Sequence, residues 1–336
     1  MRVTRGGDFQ VRFSCLIRGL LCSALVATGW LEVDAPRVAI AQPKAASESE
    51  EDELPDPEEV TLETDDGVTV QATFYGSLEG KNAVPVILLH GFKGDRQDFD
   101  ELALFLQQAG HAVIAPDLRG HGDSKRQVRG GGTVNLDAAR LRKEDFLAMA
   151  GKDGEVERVK RFLMTKNNAG ELNIDKLCLI GAEMGATVAL YWTVRDLTAA
   201  ILPTGKRGQD VKALVLISPQ DSFKGIPTNA ALRLPDIQRE LSVMLIAGSG
   251  DSKTIGDARR IYSSLAKYRP DPPTDPKEVE TKQTLFFSKP DTSLSGTKML
   301  NEKSLNLATK IGTFIDFRLV QQKYPWTDRR SRPAAE

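Results

Sequence analysis

Residues 177–190 read Leu-Cys-Leu-Ile-Gly-Ala-Glu-Met-Gly-Ala-Thr-Val-Ala-Leu. The apolar run Leu177–Ile180 has no polar interruption, as expected of a strand covered on both faces. It enters a glycine-bounded turn, Gly181-Ala182-Glu183-Met184-Gly185, and a helix is predicted from Met184 to Val194. A strand that becomes a helix so abruptly brings backbone against backbone, so the flanking side chains must be small. Gly181, Gly185 and Ala186 meet that demand. At the sharpest point of the turn stands Glu183, and its role is the question the sequence poses.

Working outward, the chain alternates strands and helices. Val60–Thr64 and Val68–Phe74 alternate with period two about Asp65-Asp66-Gly67, the pattern of a hairpin. Val84–Leu89, His111–Pro116, Val211–Ile217, Ser242–Ile246 and Thr284–Phe287 read as further strands. Phe99, Leu102, Phe105, Leu106 and Ala109 form the buried stripe of a helix that stops at Gly110. Helices are also predicted over 136–150, 156–164, 255–268 and 304–317. Such alternation implies a mostly parallel sheet covered on both faces. The stretch 218–241 leaves little room for a large lid domain.

Three motifs in this order resemble the α/β-hydrolase fold, over about Val60 to Leu319. They are Leu88-Leu89-His90-Gly91-Phe92 after a strand, Pro116-Asp117-Leu118-Arg119-Gly120-His121-Gly122-Asp123-Ser124, and the turn around Glu183. The nearest likeness is to the serine hydrolases that include monoacylglycerol lipases and proline aminopeptidases. The resemblance implies a nucleophile elbow at Gly181–Gly185. It also implies oxyanion-hole N–H groups at Phe92 and Met184, and a pocket bordered by the loops of His90, Gly91 and His121. His90 and His121 read chiefly as loop-shaping residues, and His111, opening a strand, as structural.

The triad the resemblance implies is incomplete. Glu183 stands where the family has its serine. Asp251, in Gly248-Ser249-Gly250-Asp251, matches the acid's place, with Asp221 a poorer candidate; a turn aspartate without a catalytic partner reads equally well. Ser295 stands where the histidine is expected, and the chain's three histidines, His90, His111 and His121, all precede the elbow. A histidine general base contributes about 10²–10⁴-fold in rate, so its loss decides more than any alignment detail.

Two roles for Glu183 follow. Epoxide hydrolases and haloalkane dehalogenases, which this turn resembles, carry a carboxylate at the elbow, but their ester intermediate needs a histidine to activate water. Alternatively, the Glu183 carboxylate could occupy the Phe92 and Met184 N–H groups at the helix N-terminus and plug the oxyanion hole. The leading expectation is a catalytically inactive pseudoenzyme that binds a small molecule or a protein partner. The alternative is a divergent ester or epoxide hydrolase using Glu183 as nucleophile or base. A third reading is an interaction module acting through its charged ends.

Those ends are distinctive. Arg2, Arg5, Arg12 and Arg18 precede an uncharged apolar run, Gly19–Leu31, and Ala39-Ile40-Ala41 offers a small-x-small cleavage site. Residues 1–41 therefore read as a secretory signal, which implies a secreted or periplasmic, envelope-located protein; if uncleaved, the same run is a membrane anchor. Removing its five basic and three acidic residues takes the net charge from −1 to −3. Neither value suggests nucleic-acid binding. Residues 42–59, with eight acidic side chains, read as a disordered tether, residues 60–321 as the folded domain, and residues 322–336, with Arg329, Arg330 and Arg332, as a frayed tail.

Cys15 and Cys22 fall in the leader, leaving Cys178 as a small apolar filler with no disulfide partner. Three histidines and one remaining cysteine offer no metal site, and no cofactor is expected. Gly130-Gly131-Gly132, among Lys125, Arg126 and Arg129, lacks the strand-to-helix context of a phosphate loop and reads as a flexible basic loop.

Overall fold

The computed structural model describes residues 53–202 and 205–330; the leader and most of the acidic tether lie outside them. In chain order the main elements are β1 (Glu58–Glu63), β2 (Val68–Tyr75), β3 (Pro85–Leu89), α1 (Asp100–Gln108) and β4 (Ala112–Pro116). There follow β5 (Arg126–Arg129), β6 (Gly132–Asn135), α2 (Lys143–Met149), α3 (Glu155–Ala169), β7 (Leu177–Ala182) and α4 (Met184–Leu197). The last are β8 (Val211–Ile217), β9 (Ser242–Ile246), α5 (Ser252–Ala266), α6 (Pro276–Lys282), β10 (Leu285–Ser288) and α7 (Leu307–Ile315).

These strands form one sheet in the order β10-β9-β8-β7-β3-β4-β2-β5-β6, with β1 paired to β2. From β10 to β4 every pairing is parallel, and the β1, β2, β5 and β6 pairings are antiparallel. The central register places Leu88 beside Ile180 and Ile180 beside Val215.

Alternation along each strand feeds two cores. Ile87, Leu89, Leu179, Leu214, Leu216 and Leu245 pack on one face against Phe146, Met149, Val159, Leu163 and Trp192 of α2, α3 and α4. Leu88, Ile180, Val215, Ile217 and Ile246 pack on the other against Leu102 and Leu106 of α1 and Ile311 and Phe314 of α7. Each such side chain, fully withdrawn from water, contributes about 1.5–3 kcal/mol, which is why these strands read as continuous apolar runs. Cys178 belongs to the second core, where burial pushes its thiol pKa up. Among the described residues no helix is long and apolar enough to cross a membrane.

The structure corrects four expectations. Residues 136–150 are not one helix: a 3-10 turn at Ala138–Arg140 and an extended Leu141 separate from α2, because Asp137 and then Arg142 each start a fresh turn. The three glycines are not a free loop: Gly130 and Gly131 form the turn between β5 and β6, Gly132 opens β6, and the two strands extend the sheet. Gly130 and Gly131 adopt positive φ there, as tight hairpin turns demand. The acidic stretch is already in strand β1 from Glu58. The tail expected to fray is docked from Tyr324 to Arg329, where Tyr324, Trp326 and Arg329 are partly covered. Short sequence periods carry no trace of such a dock.

Candidate functional site

The strands of the parallel half deliver their C-terminal ends to one edge of the sheet, where ligands bind in open α/β folds. β7 ends at the turn predicted from the sequence. Glu183 has φ +49° and ψ −106°, a conformation that costs a non-glycine residue about 1–3 kcal/mol. The turn is held by the Glu183 N–H, which donates to the Ile217 carbonyl at 2.9 Å. A Cβ on Gly185 would overlap the Leu89 carbonyl, and one on Gly181 the Gly185 carbonyl, so both glycines are required by close approach.

The Glu183 carboxylate makes no hydrogen bond to the N–H groups of Phe92 or Met184. It makes no capping hydrogen bond to its own helix. Instead Ser295 donates its hydroxyl to Oε1 at 3.2 Å. A Cβ on Gly91 would lie 2.8 Å from Oε2, and one on Gly296 would lie 2.9 Å from Oε1. The carboxylate is thus seated between the loop after β3 and the loop after β10. Among the described residues, the N–H groups of Phe92 and Met184 have no acceptor. The sequence-level idea of a permanent plug fails because the longer glutamate side chain reaches across the turn to Ser295.

Of the two histidines near the elbow, His90 has both ring nitrogens engaged and His121 one. The His90 Nδ1–H donates to the Gly91 carbonyl at 2.8 Å, and the Leu118 N–H donates to His90 Nε2 at 3.0 Å. Burial holds its pKa down at about 3. The His121 Nδ1–H donates to the Arg119 carbonyl at 2.9 Å; its ring is buried, and burial lowers its pKa too. Its Nε2 has no partner among the described residues. The two rings lie 5.0 Å apart, and His121 lies 5.8 Å from the Phe92 ring.

Asp251 caps α5. Its carboxylate accepts from the N–H groups of Lys253 and Thr254, both at 3.2 Å, and from the Thr254 hydroxyl, which lowers its pKa. It makes no hydrogen bond to Ser295. Its loop nevertheless abuts the Ser295 loop, through the Gly250 N–H donating to the Thr292 carbonyl at 3.0 Å. Asp221 pairs with Arg260 and makes no hydrogen bond to Glu183 or Ser295.

Two contributors were not anticipated. Ser218, directly after β8, has φ +50° and is buried, and its Oγ accepts from the Gly296 N–H at 2.8 Å. Its place just past a strand end was the available signal. A small hairpin, Ser222–Phe223 with Ile226–Pro227, sets Phe223 against Phe92 at 5.8 Å and Phe146 at 4.9 Å. Lys224 at its tip lies 4.9 Å from the Phe92 ring centre. Among the described residues no group of three or more His, Cys, Asp or Glu side chains is placed to hold a metal ion.

The chain matches the family model described as alpha/beta hydrolase fold over residues 84–299. A non-heme chloroperoxidase of Streptomyces lividans is 36% identical over 70 residues, spanning 21% of this chain and 24% of that protein. The chain thus spans about a quarter of that relative's length. An esterase of Pyrococcus furiosus superposes with a TM-score of 0.54 at 16% identity, covering 79% of this chain and 91% of the other. DcsB, solved in complex with its substrate analogue, gives 0.51 at 16% identity, covering 79% and 99%. At these identities the structural likeness speaks for the fold.

Proposed function

Because the chain belongs to the α/β-hydrolase fold family, we propose that it keeps the family's scaffold and binds a ligand or partner at the elbow without hydrolysing it. The observation that supports this is the Glu183–Ser295 pair. Where a hydrolase of this family has a nucleophile activated by an imidazole, this pair offers a carboxylate and a hydroxyl and no imidazole. His90, with both ring nitrogens engaged, cannot take over. We place the protein outside the cytoplasm on the strength of residues 1–41, and N-terminal sequencing of exported protein should begin at Gln42.

A second reading rests on a specific observation. The strained backbone of Glu183 and the partner-free N–H groups of Phe92 and Met184 are what a carboxylate nucleophile would use. The named relatives include an esterase, which makes esters the first substrates to try. Purified protein is assayed with short-chain p-nitrophenyl esters and a styrene-oxide-type epoxide, beside Glu183→Gln. No turnover by either protein supports the binding reading. Turnover that disappears in Glu183→Gln overturns it and makes Glu183 the working carboxylate.

A further inference from the structure

Far along the chain from the elbow, residues 323–329 run without helix or strand, and Tyr324 and Trp326 are partly buried while Pro325 and Thr327 are exposed. That alternation is how an extended peptide presents side chains to a surface. The surface reads the peptide's backbone. Asn173 Nδ2 donates to the Tyr324 carbonyl at 2.8 Å, and Asn167 Nδ2 to the Thr327 carbonyl at 3.0 Å. The Arg329 N–H donates to Asn168 Oδ1 at 2.9 Å.

The two backbone-reading asparagines are oriented by bonds that do not involve the tail. Asn167 and Asn173 are buried, and each turns its amide oxygen inward, accepting from the Ile174 N–H at 3.0 Å and the Asp175 N–H at 3.1 Å. Their amide nitrogens therefore face the peptide; without it the Asn173 amide nitrogen would lose its acceptor, while that of Asn167 would keep Asn168 Oδ1 at 3.2 Å.

Side chains add selectivity. The Trp326 ring lies 4.1 Å from Lys81 Nζ. The Arg329 side chain is 6% exposed, 2.9 Å from Asp210 and 3.3 Å from Asp175, and it donates to the Lys206 carbonyl at 2.7 Å. Backbone-reading asparagines, an aromatic seat and an acidic socket for arginine are the parts of a peptide-docking site.

We propose that this groove docks an extended segment of the pattern Tyr-x-Trp-Thr-x-Arg, and that its partner in trans is residues 324–329 of a second copy of this chain. Exchange of a terminal segment between copies requires only that the linker at Gln322 and Lys323 swing, since every contact is reproduced.

The test uses the full chain carrying Trp326→Ala and Arg329→Ala, which weakens the resident tail and leaves every groove residue in place. A fluorescein-labelled peptide of residues 322–332 should bind this variant saturably. The same peptide with Arg329→Ala should bind at least about tenfold more weakly, and wild-type protein should bind the native peptide more weakly than the variant does. No saturable binding, or equal binding of the two peptides, overturns the proposal. If the variant fails to melt cooperatively, hydrogen exchange on the wild type decides. Excess native peptide should speed exchange of the resident amides at 324–329 and leave those of α3 unchanged, and no change at 324–329 overturns the proposal equally.

Discussion

Ser295 gives its hydroxyl hydrogen to the Glu183 carboxylate across 3.2 Å, and so links the elbow after β7 to the loop after β10. The two positions where the family resemblance puts nucleophile and base are therefore adjacent in space, occupied by residues that hold each other.

That adjacency makes a gain of function testable. Replacing Glu183→Ser and Ser295→His together places a hydroxyl and an imidazole at these positions, beside the Phe92 and Met184 N–H groups. The double variant is expected to hydrolyse p-nitrophenyl acetate about 10²-fold or more above either single variant. Adding Asp251→Asn, which can still cap α5, should remove most of the gain. A double variant no faster than the singles would show that the loops no longer hold a competent geometry.

The seat of the Glu183 carboxylate predicts an unusual double-mutant cycle. Gly91→Ala would bring a methyl group to 2.8 Å from Oε2 and should destabilise the fold by about 1–3 kcal/mol. Combined with Glu183→Ala, the same change should be nearly harmless, giving a coupling of at least about 1 kcal/mol in denaturant unfolding. Additive effects would place the carboxylate elsewhere in solution.

Ser218 is the fastening of the Ser295 loop. Ser218→Ala leaves the buried Gly296 N–H without its acceptor and should cost about 1–3 kcal/mol. Ser218→Gly loses the same bond but relieves the positive φ, so it should melt above Ser218→Ala. The reverse order of melting temperatures would contradict this assignment.

Acid should weaken the fold through its histidines. Burial lowers His90 to about 3 and His111 to about 4 from an ordinary 6.5. Between those values the unfolded chain binds protons that the folded chain refuses. Stability is therefore whole above 6.5 and declines as pH falls, by about 1.4 kcal/mol per pH unit for each group. Urea unfolding at about pH 7 and about pH 5 measures it; an unchanged or higher midpoint at the lower pH would refute it.

What the sequence disclosed follows from these physical terms. β7 and β8 announced themselves because strands buried on both faces are almost wholly apolar, with only the half-buried Lys212 near the start of β8 departing from it. The elbow was legible because close backbone approach admits only glycine at positions 181 and 185. Glu183 and the absence of later histidines could be read directly. The direction of the Glu183 side chain could not, since it depends on Ser295, over a hundred positions away. The docked tail was illegible for a related reason: Asn167 and Asn173 read backbone atoms, which every sequence possesses. The break within 136–150 was masked by side chains with good helix propensity, overridden by two successive turn starts.

The Glu183–Ser295 link spans 112 positions of the chain. At the usual pace of synthesis, about 5–20 residues per second, Ser295 is made roughly ten seconds after Glu183. Through that interval β7 and α4 can form, while the carboxylate waits without the hydroxyl that will receive it. The pocket is therefore the last part of the sheet edge to be completed. A nascent chain halted before residue 295 would carry the elbow open to whatever meets it first.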